Sequence, residues 1–233
     1  MQVAVLSDIH GNALALSACL DCIRELGVER VFMLGDLVGY FPGECAAYDL
    51  LAERGALCQQ GNHETYLFTP SARAVRGEPL YQLNAARARL GVARLAGIAA
   101  WPARREVEID GCRMLLVHGT PDDPQEGYVY PDGDLSLCRD LPWDVVFMGH
   151  THRPFVQDAG PVLCVNVGSI GLPRDRGGAA AFALFDPPTR KARIVRVPFD
   201  VEEVIRLYND ALPEQMKTWL RRAPAEKLED IAT

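Results

Sequence analysis

Five short groups of ionisable or amide side chains punctuate this chain: Asp8-x-His10, Asp36, Asn62-His63, His118 and His150-x-His152. Imidazole and carboxylate ligands without cysteine suit Mn, Fe, Zn, Ni or Co better than Ca or Mg, and cations held this way support hydrolysis. A lone histidine is more often a solvated or satisfied side chain than a ligand. Here, however, all five histidines of the chain fall in these groups, and each group lies beside a glycine: Gly11, Gly35, Gly61, Gly119 or Gly149. Glycine in that position is expected where backbone bends sharply or approaches a ligand closely. The set as a whole predicts metal binding.

The elements that must position these groups are apolar runs. Residues 2–7 predict a buried strand, after which Leu16, Leu20 and Ile23 share one face of a helix that Asn12 can cap and Gly27 ends. Residues 31–34 predict a second strand stopping at Gly35-Asp36, and strand–helix–strand order predicts parallel pairing. Residues 44–54 predict another helix, and 56–58 a third strand that runs out into a polar loop holding Asn62 and His63. Residues 79–98 predict one or two helices broken at Gly91 and Gly97. Asp110-Gly111 predicts a hairpin whose second strand delivers His118, and the apolar run 145–148 delivers His150 and His152. Residues 155–198 hold further short strands. Polar groups after strands gather at the carboxyl edge of an α/β sheet, where ligands bind. Asp8-x-His10, read as an extended segment leaving its strand, aims both side chains at one point. The expected organisation is one domain, with the ligand-bearing part at 1–199 and a helical C-terminal extension at 200–233.

Composition narrows the function classes. The 233 residues are 48% hydrophobic and 24% charged, as in an ordinary folded domain. A net charge of −7 without a Lys/Arg cluster argues against a long nucleic acid as partner. A small phosphorylated substrate stays compatible, because bound cations would make the cleft itself attractive to phosphate. No apolar run is long enough to span a membrane and no signal-like start is present, so a cytoplasmic location and no membrane partner are expected. Seven cysteines, an odd number in apolar surroundings, predict reduced thiols, and the Cys19-x-x-Cys22 pair falls mid-helix. Homo-oligomerisation is left open.

In order, D-x-H, G-D, G-N-H-E, H-G and G-H-T-H resemble the motif series of the calcineurin-like metallophosphoesterase superfamily, over residues 8–152. Gly35–Tyr40 and Asn166–Arg174 look most like the small bacterial and archaeal phosphodiesterase branch. The resemblance implies a four-layer α/β/β/α sandwich of two mixed β-sheets flanked by helices. It also implies two divalent transition-metal ions: Asp8, His10 and His152 on one, Asn62, His118 and His150 on the other, Asp36 bridging. His63 would stay off the metals as the catalytic histidine, free to titrate and to donate a proton to the leaving group. Two cations about 3.5–4 Å apart polarise a phosphoryl group and lower the pKa of a bridging water, so the implied activity is phosphodiester hydrolysis of a small, nucleotide-type substrate by a metal-bridging hydroxide. The G-D-x-x-D-R-G pattern of the superfamily's protein phosphatases is missing, which disfavours that alternative. A non-catalytic protein-binding scaffold, as in a retromer subunit of this fold, is the other alternative, and retention of His63 argues against it. Glu64, in place of the more usual aspartate, is expected to be solvated or to cap a helix. Arg174 and Tyr40 are expected substrate contacts, Tyr40 either stacking on a base or packing at the sheet edge.

Overall fold

The computed structural model describes residues 1–222. β1 (Val3–Leu6) is followed by α1 (Ala13–Glu25), β2 (Arg30–Met33), α2 (Glu44–Arg54), β3 (Leu57–Cys58), α3 (Asn62–Phe68), α4 (Ala72–Tyr81) and α5 (Leu83–Ala99). Then come β4 (Arg104–Ile109), β5 (Cys112–Val117), β6 (Val145–Met148), β7 (Phe155–Ala159), β8 (Val162–Asn166), β9 (Ala179–Asp186) and β10 (Lys191–Pro198). α6 (Val201–Tyr208) and α7 (Glu214–Arg221) close the described chain, and the part of the predicted helical extension at 223–233 lies outside the described residues.

The strands form two mixed five-stranded sheets, in the orders β10-β9-β1-β2-β3 and β4-β5-β6-β8-β7. β1, β2 and β3 pair parallel as the strand–helix–strand order predicts, whereas β9 returns antiparallel along the other edge of β1. Alternation along β1 divides the core. Val3 and Val5 meet Phe32, Phe185, Met114, Phe147 and Val165 between the sheets, while Ala4 and Leu6 face Leu16, Leu20, Ile23 and Leu51 of the helical layer. Phe147 and Phe185 pack edge to face at 5.2 Å across the interface, a contact worth about 0.5–1.5 kcal/mol beyond its buried area. Val204, Met216 and Leu220 of the C-terminal helices join the helical layer. The outer face of the second sheet, Leu115, Val117, Val146 and Met148, is covered by Val129, Cys138, Leu141 and Trp143, from a segment whose regular structure is a 3-10 turn at Ser136–Cys138. The architecture is the expected α/β sandwich of two mixed sheets flanked by helices.

Local chemistry explains most boundaries. Asn12 Oδ1 accepts from Ala15 N–H at 3.2 Å and caps α1. Asp110 and Gly111 both have positive φ, 51° and 75°, the geometry of a tight two-residue hairpin turn. Three expectations need correcting. Helix extends back to Ala72, with Pro79 inside α4; the break near Gly91 is real, with φ 70° and ψ 171°; and α5 runs through Gly97, whose missing side chain leaves room for the Tyr48 hydroxyl. Asn62 and His63 are not in a loop but in the first turn of α3, because extended Gly61 and the Glu64 carboxylate together start a helix there. All seven cysteines are free. No helix among the described residues is long and apolar enough to cross a membrane.

Candidate metal centre

The groups that follow β1, β2, β3, β5 and β6 converge at one buried place. Asp8 Oδ1 lies 3.1 Å from His152 Nε2 and 3.7 Å from His10 Nε2, and those two nitrogens are 3.1 Å apart. On the other side, His118 Nε2 is 3.1 Å from Asn62 Oδ1 and 3.0 Å from His150 Nδ1. Asp36 Oδ2 stands between the clusters, 3.3 Å from His118 Nε2 and 3.8 Å from His10 Nε2. His63 Nε2 is 3.9 Å from the same oxygen.

The backbone carrying these side chains is strained. Nine non-glycine residues have positive φ among the described residues, and six of them are here: Asp8, His10, Asp36, Tyr40, His150 and His152. Asp8 and His10 are therefore left-handed rather than extended, and that bend is what turns both inward. Each such residue costs of order 1–3 kcal/mol and persists only when its surroundings over-determine it. The surroundings do so here. Asp8 N–H donates to Gly35 O at 3.0 Å, His10 N–H to Asp36 O at 2.9 Å, and Gly171 N–H to Asp8 O at 3.0 Å. Asn166 Nδ2 donates to Gly149 O and Thr151 Oγ1, and Ser169 Oγ to Asp8 O. Glu64, left out of the predicted site, accepts from Asp36 and Gly61 N–H on Oε2 and from Leu37 and Val38 N–H on Oε1. It is fully buried, so the capping half of its expected role holds and the solvated half does not. A glutamate three residues after a glycine that starts a helix was the available signal.

Hydrogen bonds from the far sides of the rings fix what faces inward. His10 Nδ1 meets Val38 O at 3.1 Å and His152 Nδ1 meets Leu172 O at 2.6 Å, so each ring carries a proton there, and the ring in its metal-binding form presents the Nε2 lone pair to the site. Asp8 Oδ2 accepts His150 N–H at 3.0 Å, while buried Oδ1 accepts no hydrogen bond. With both rings in that form, three acceptors face one another at about van der Waals distance. Such an arrangement repels itself unless a cation sits at its centre, and the donor set fits a divalent metal.

Charge states agree. Burial, reinforced by the neighbouring His63, holds His10 far below the ordinary imidazole range; burial and His118 do the same to His150. Burial pushes His63 down to about 4 despite Asp36. Against burial, the histidines around Asp8 and Asp36 keep both carboxyls below the carboxylate range. His118 is the exception: burial lowers it, but Asp36 and Asp8 together overcome that and raise it to about 9. Burial and Asp36 lift Glu64 to about 7, with its backbone donors pulling the other way.

Tyr40 is 2% exposed; its ring lies 4.7 Å from His10, stacks on His63 at 5.3 Å and meets Tyr81 at 5.4 Å. Its faces are covered by protein, so packing rather than base stacking describes it. Arg174 is buried, donates its N–H to His152 O at 3.1 Å, and its positive charge acts on the hydroxyls of Tyr40 and Tyr128. Its backbone is thus tied directly to that of the candidate ligand His152.

A sandwich of two mixed sheets with an aspartate–histidine cluster at the carboxyl ends of its strands is the framework of a metal-dependent hydrolase. The chain belongs to the calcineurin-like phosphoesterase superfamily, whose family model matches residues 1–190. An uncharacterized protein of Methanocaldococcus jannaschii is 30% identical over 94% of this chain and 95% of its own length. Phosphodiesterase YfcE of Escherichia coli is 24% identical over 80% of this chain and 88% of its own. The crystal structure of a metallophosphoesterase from Sphaerobacter thermophilus superposes with a TM-score of 0.76 at 24% identity, covering 94% of this chain and 98% of that one.

Proposed function

We propose that the protein is a dinuclear-metal phosphodiesterase of small, nucleotide-type phosphoesters. The observation that carries this reading is the shared oxygen: Asp36 Oδ2 lies within 4 Å of ring nitrogens from both clusters, 3.8 Å from His10 and 3.3 Å from His118. On this reading Asp8, His10 and His152 would hold one ion and Asn62, His118 and His150 the other, with Asp36 shared between them. Two bound divalent ions supply Lewis acidity toward the phosphoryl oxygens and a nucleophile at neutral pH.

The chain's own residues do the rest. The His63 ring lies at the edge of the ligand clusters, with Nε2 3.9 Å from Asp36 Oδ2, and is held between Tyr40 and Tyr81, while its backbone N–H donates to Asp36 Oδ1 at 2.9 Å. At about 4 it is neutral at pH 7, so it offers an N–H hydrogen bond to a phosphoryl oxygen. Its use as an acid requires the negative charge of a bound phosphoester to raise it. Arg174, tied through its backbone to His152, adds a phosphate contact. The E. coli relative's name favours diesters over monoesters. A protein phosphatase fits poorly, because Gly39 and Tyr40 stand where that branch of the superfamily carries an acid and an arginine.

The test is hydrolysis of bis-p-nitrophenyl phosphate and p-nitrophenyl phosphate by metal-stripped protein resupplied with Mn, Ni, Zn or Mg, beside His63→Ala. Turnover that needs a metal, favours the diester and falls about 10²-fold or more in the variant with metal retained supports the reading. Background rates with every metal and ester would end it.

A further inference from the structure

Over the centre stand two segments that carry none of the ligand groups: α4 and residues 119–134. The second is firmly built. His118 and Gly119 N–H both donate to Pro124 O, at 3.0 and 2.7 Å, Gly127 N–H to Asp123 O at 3.1 Å, and Gln125 Nε2 to Thr65 Oγ1 at 2.6 Å. Val129 is buried in the core beside β5 and β6, so alternation along the chain sends Tyr128 and Tyr130 the other way. Their rings lie nearly parallel, 16° apart, with centroids 6.1 Å apart.

Tyr128 also meets the centre: its ring centroid is 4.0 Å from that of His150. It differs in exposure from the other tyrosines near the site. Tyr128 is 36% exposed, against 2% for Tyr40 and 6% for Tyr81, so it is the ring that a bound molecule can reach. The edges of this wall are cationic. Arg73 of α4 hydrogen-bonds the Tyr128 hydroxyl and places its guanidinium carbon 5.5 Å from the ring centroid; Arg153 lies 5.4 Å from the Tyr130 centroid; and Arg174 acts on Tyr128 from the side of the metal ligands. Three arginines thus border an aromatic pair beside a candidate metal ligand, with Glu126 3.9 Å from the Arg73 guanidinium.

We propose that Tyr128 and Tyr130 form an aromatic subsite that takes the planar substituent of the phosphoester, a nucleobase or aryl group, with Arg73 and Arg174 facing its phosphate. This deepens the phosphodiesterase reading and rests on it: Tyr128 becomes the residue that distinguishes aromatic from aliphatic esters. The competing reading is that Tyr128 only packs on His150 and holds it in place.

The experiment compares Tyr128→Leu and Tyr128→Phe with wild type. It measures kcat and KM for bis-p-nitrophenyl phosphate and for glycerophosphoethanolamine, bound metal, and equilibrium binding of AMP and of ribose 5-phosphate. Stacking of one base or aryl ring predicts a roughly tenfold rise in KM for the aryl diester in Tyr128→Leu relative to Tyr128→Phe, with the aliphatic diester and metal content the same in the two variants. Tyr128→Phe keeps the ring but frees Arg73 from the hydroxyl, so any change it causes is shared by both esters and its preference for AMP over ribose 5-phosphate is retained. AMP binds wild type roughly tenfold tighter than ribose 5-phosphate, and Tyr128→Leu abolishes that difference. Equal losses on both esters, lost metal, or an unchanged AMP preference in the leucine variant overturns the subsite. If wild type hydrolyses no ester with any metal, the phosphodiesterase reading falls on its own, and the AMP against ribose 5-phosphate difference alone decides the subsite.

Discussion

Gly39→Ala tests the placement of His63 without touching it. Gly39 has φ 94°, and a methyl group there would stand 2.3 Å from His63 Nδ1 and 3.3 Å from Tyr81 O. Restoring ordinary contact at about 3.4 Å moves the imidazole by roughly 1.1 Å (3.4 − 2.3). The ring cannot absorb this by sliding, since it is boxed by Tyr40 at 5.3 Å, Tyr81 at 4.7 Å and His10 at 4.8 Å. A misplacement of about 1 Å in a catalytic group costs on the order of 10²-fold in rate. The left-handed backbone adds about 1–2 kcal/mol of strain, or roughly 2–8 °C in Tm for a domain of this size. Gly111→Ala supplies the control: its φ is 75°, but nothing lies within 4 Å of the added methyl. Both variants carry the backbone strain, and Gly39→Ala adds overpacking of about 1–3 kcal/mol, so it should melt lower than Gly111→Ala, and it alone should lose kcat, with metal content unchanged. If Gly39→Ala keeps wild-type kcat, either His63 does not act on substrate or its position is not critical, and the proposed role fails.

Two further outcomes follow from the same geometry. Glu64→Ala leaves the N–H groups of Gly61, Asp36, Leu37 and Val38 without their carboxylate acceptor. At ~1–3 kcal/mol per unpaired buried donor, partly offset by relief of a buried charge, Tm should fall by about 10 °C and metal should be lost in the same preparation; a melt within about 2 °C of wild type would show that water replaces the carboxylate at little cost. His118, at about 9 in the metal-free centre, is protonated at pH 7 and must lose that proton to bind metal. Metal affinity should therefore rise with pH, up to about tenfold per unit between 7 and 9; calorimetry at pH 7 in buffers of different ionisation enthalpy should show proton release that disappears above pH 9, and no release at pH 7 would refute the assignment.

Much of the site is legible in sequence because its ligands are local in one respect: each sits within four residues of the end of an apolar strand, and strand ends in an α/β sheet share an edge. Asp8, Asp36, His118 and His150 could be nominated on that ground alone. What periodicity does not carry is partner choice. Nothing in residues 179–186 says that β9 pairs antiparallel with β1 while β8 joins the other sheet, since any apolar strand satisfies either neighbour. The same limit hid Glu64, whose backbone donors at Asp36, Leu37 and Val38 lie 26–28 residues away. It also hid Tyr128, which sits in a Pro/Asp/Gly-rich stretch with no pattern of its own and acquires meaning from His150 and from Arg73, 55 residues upstream.

The sequence by itself determined the kind of chemistry, because ligand type follows from residue type and the loops follow from glycine beside apolar strands. Only the tertiary structure decided that three buried candidate ligand atoms meet, that His63 is neutral and walled in by tyrosines, and that one exposed aromatic ring borders the centre. Those properties arise from desolvation and from distances between segments remote in the chain, and neither exists until the two sheets have packed.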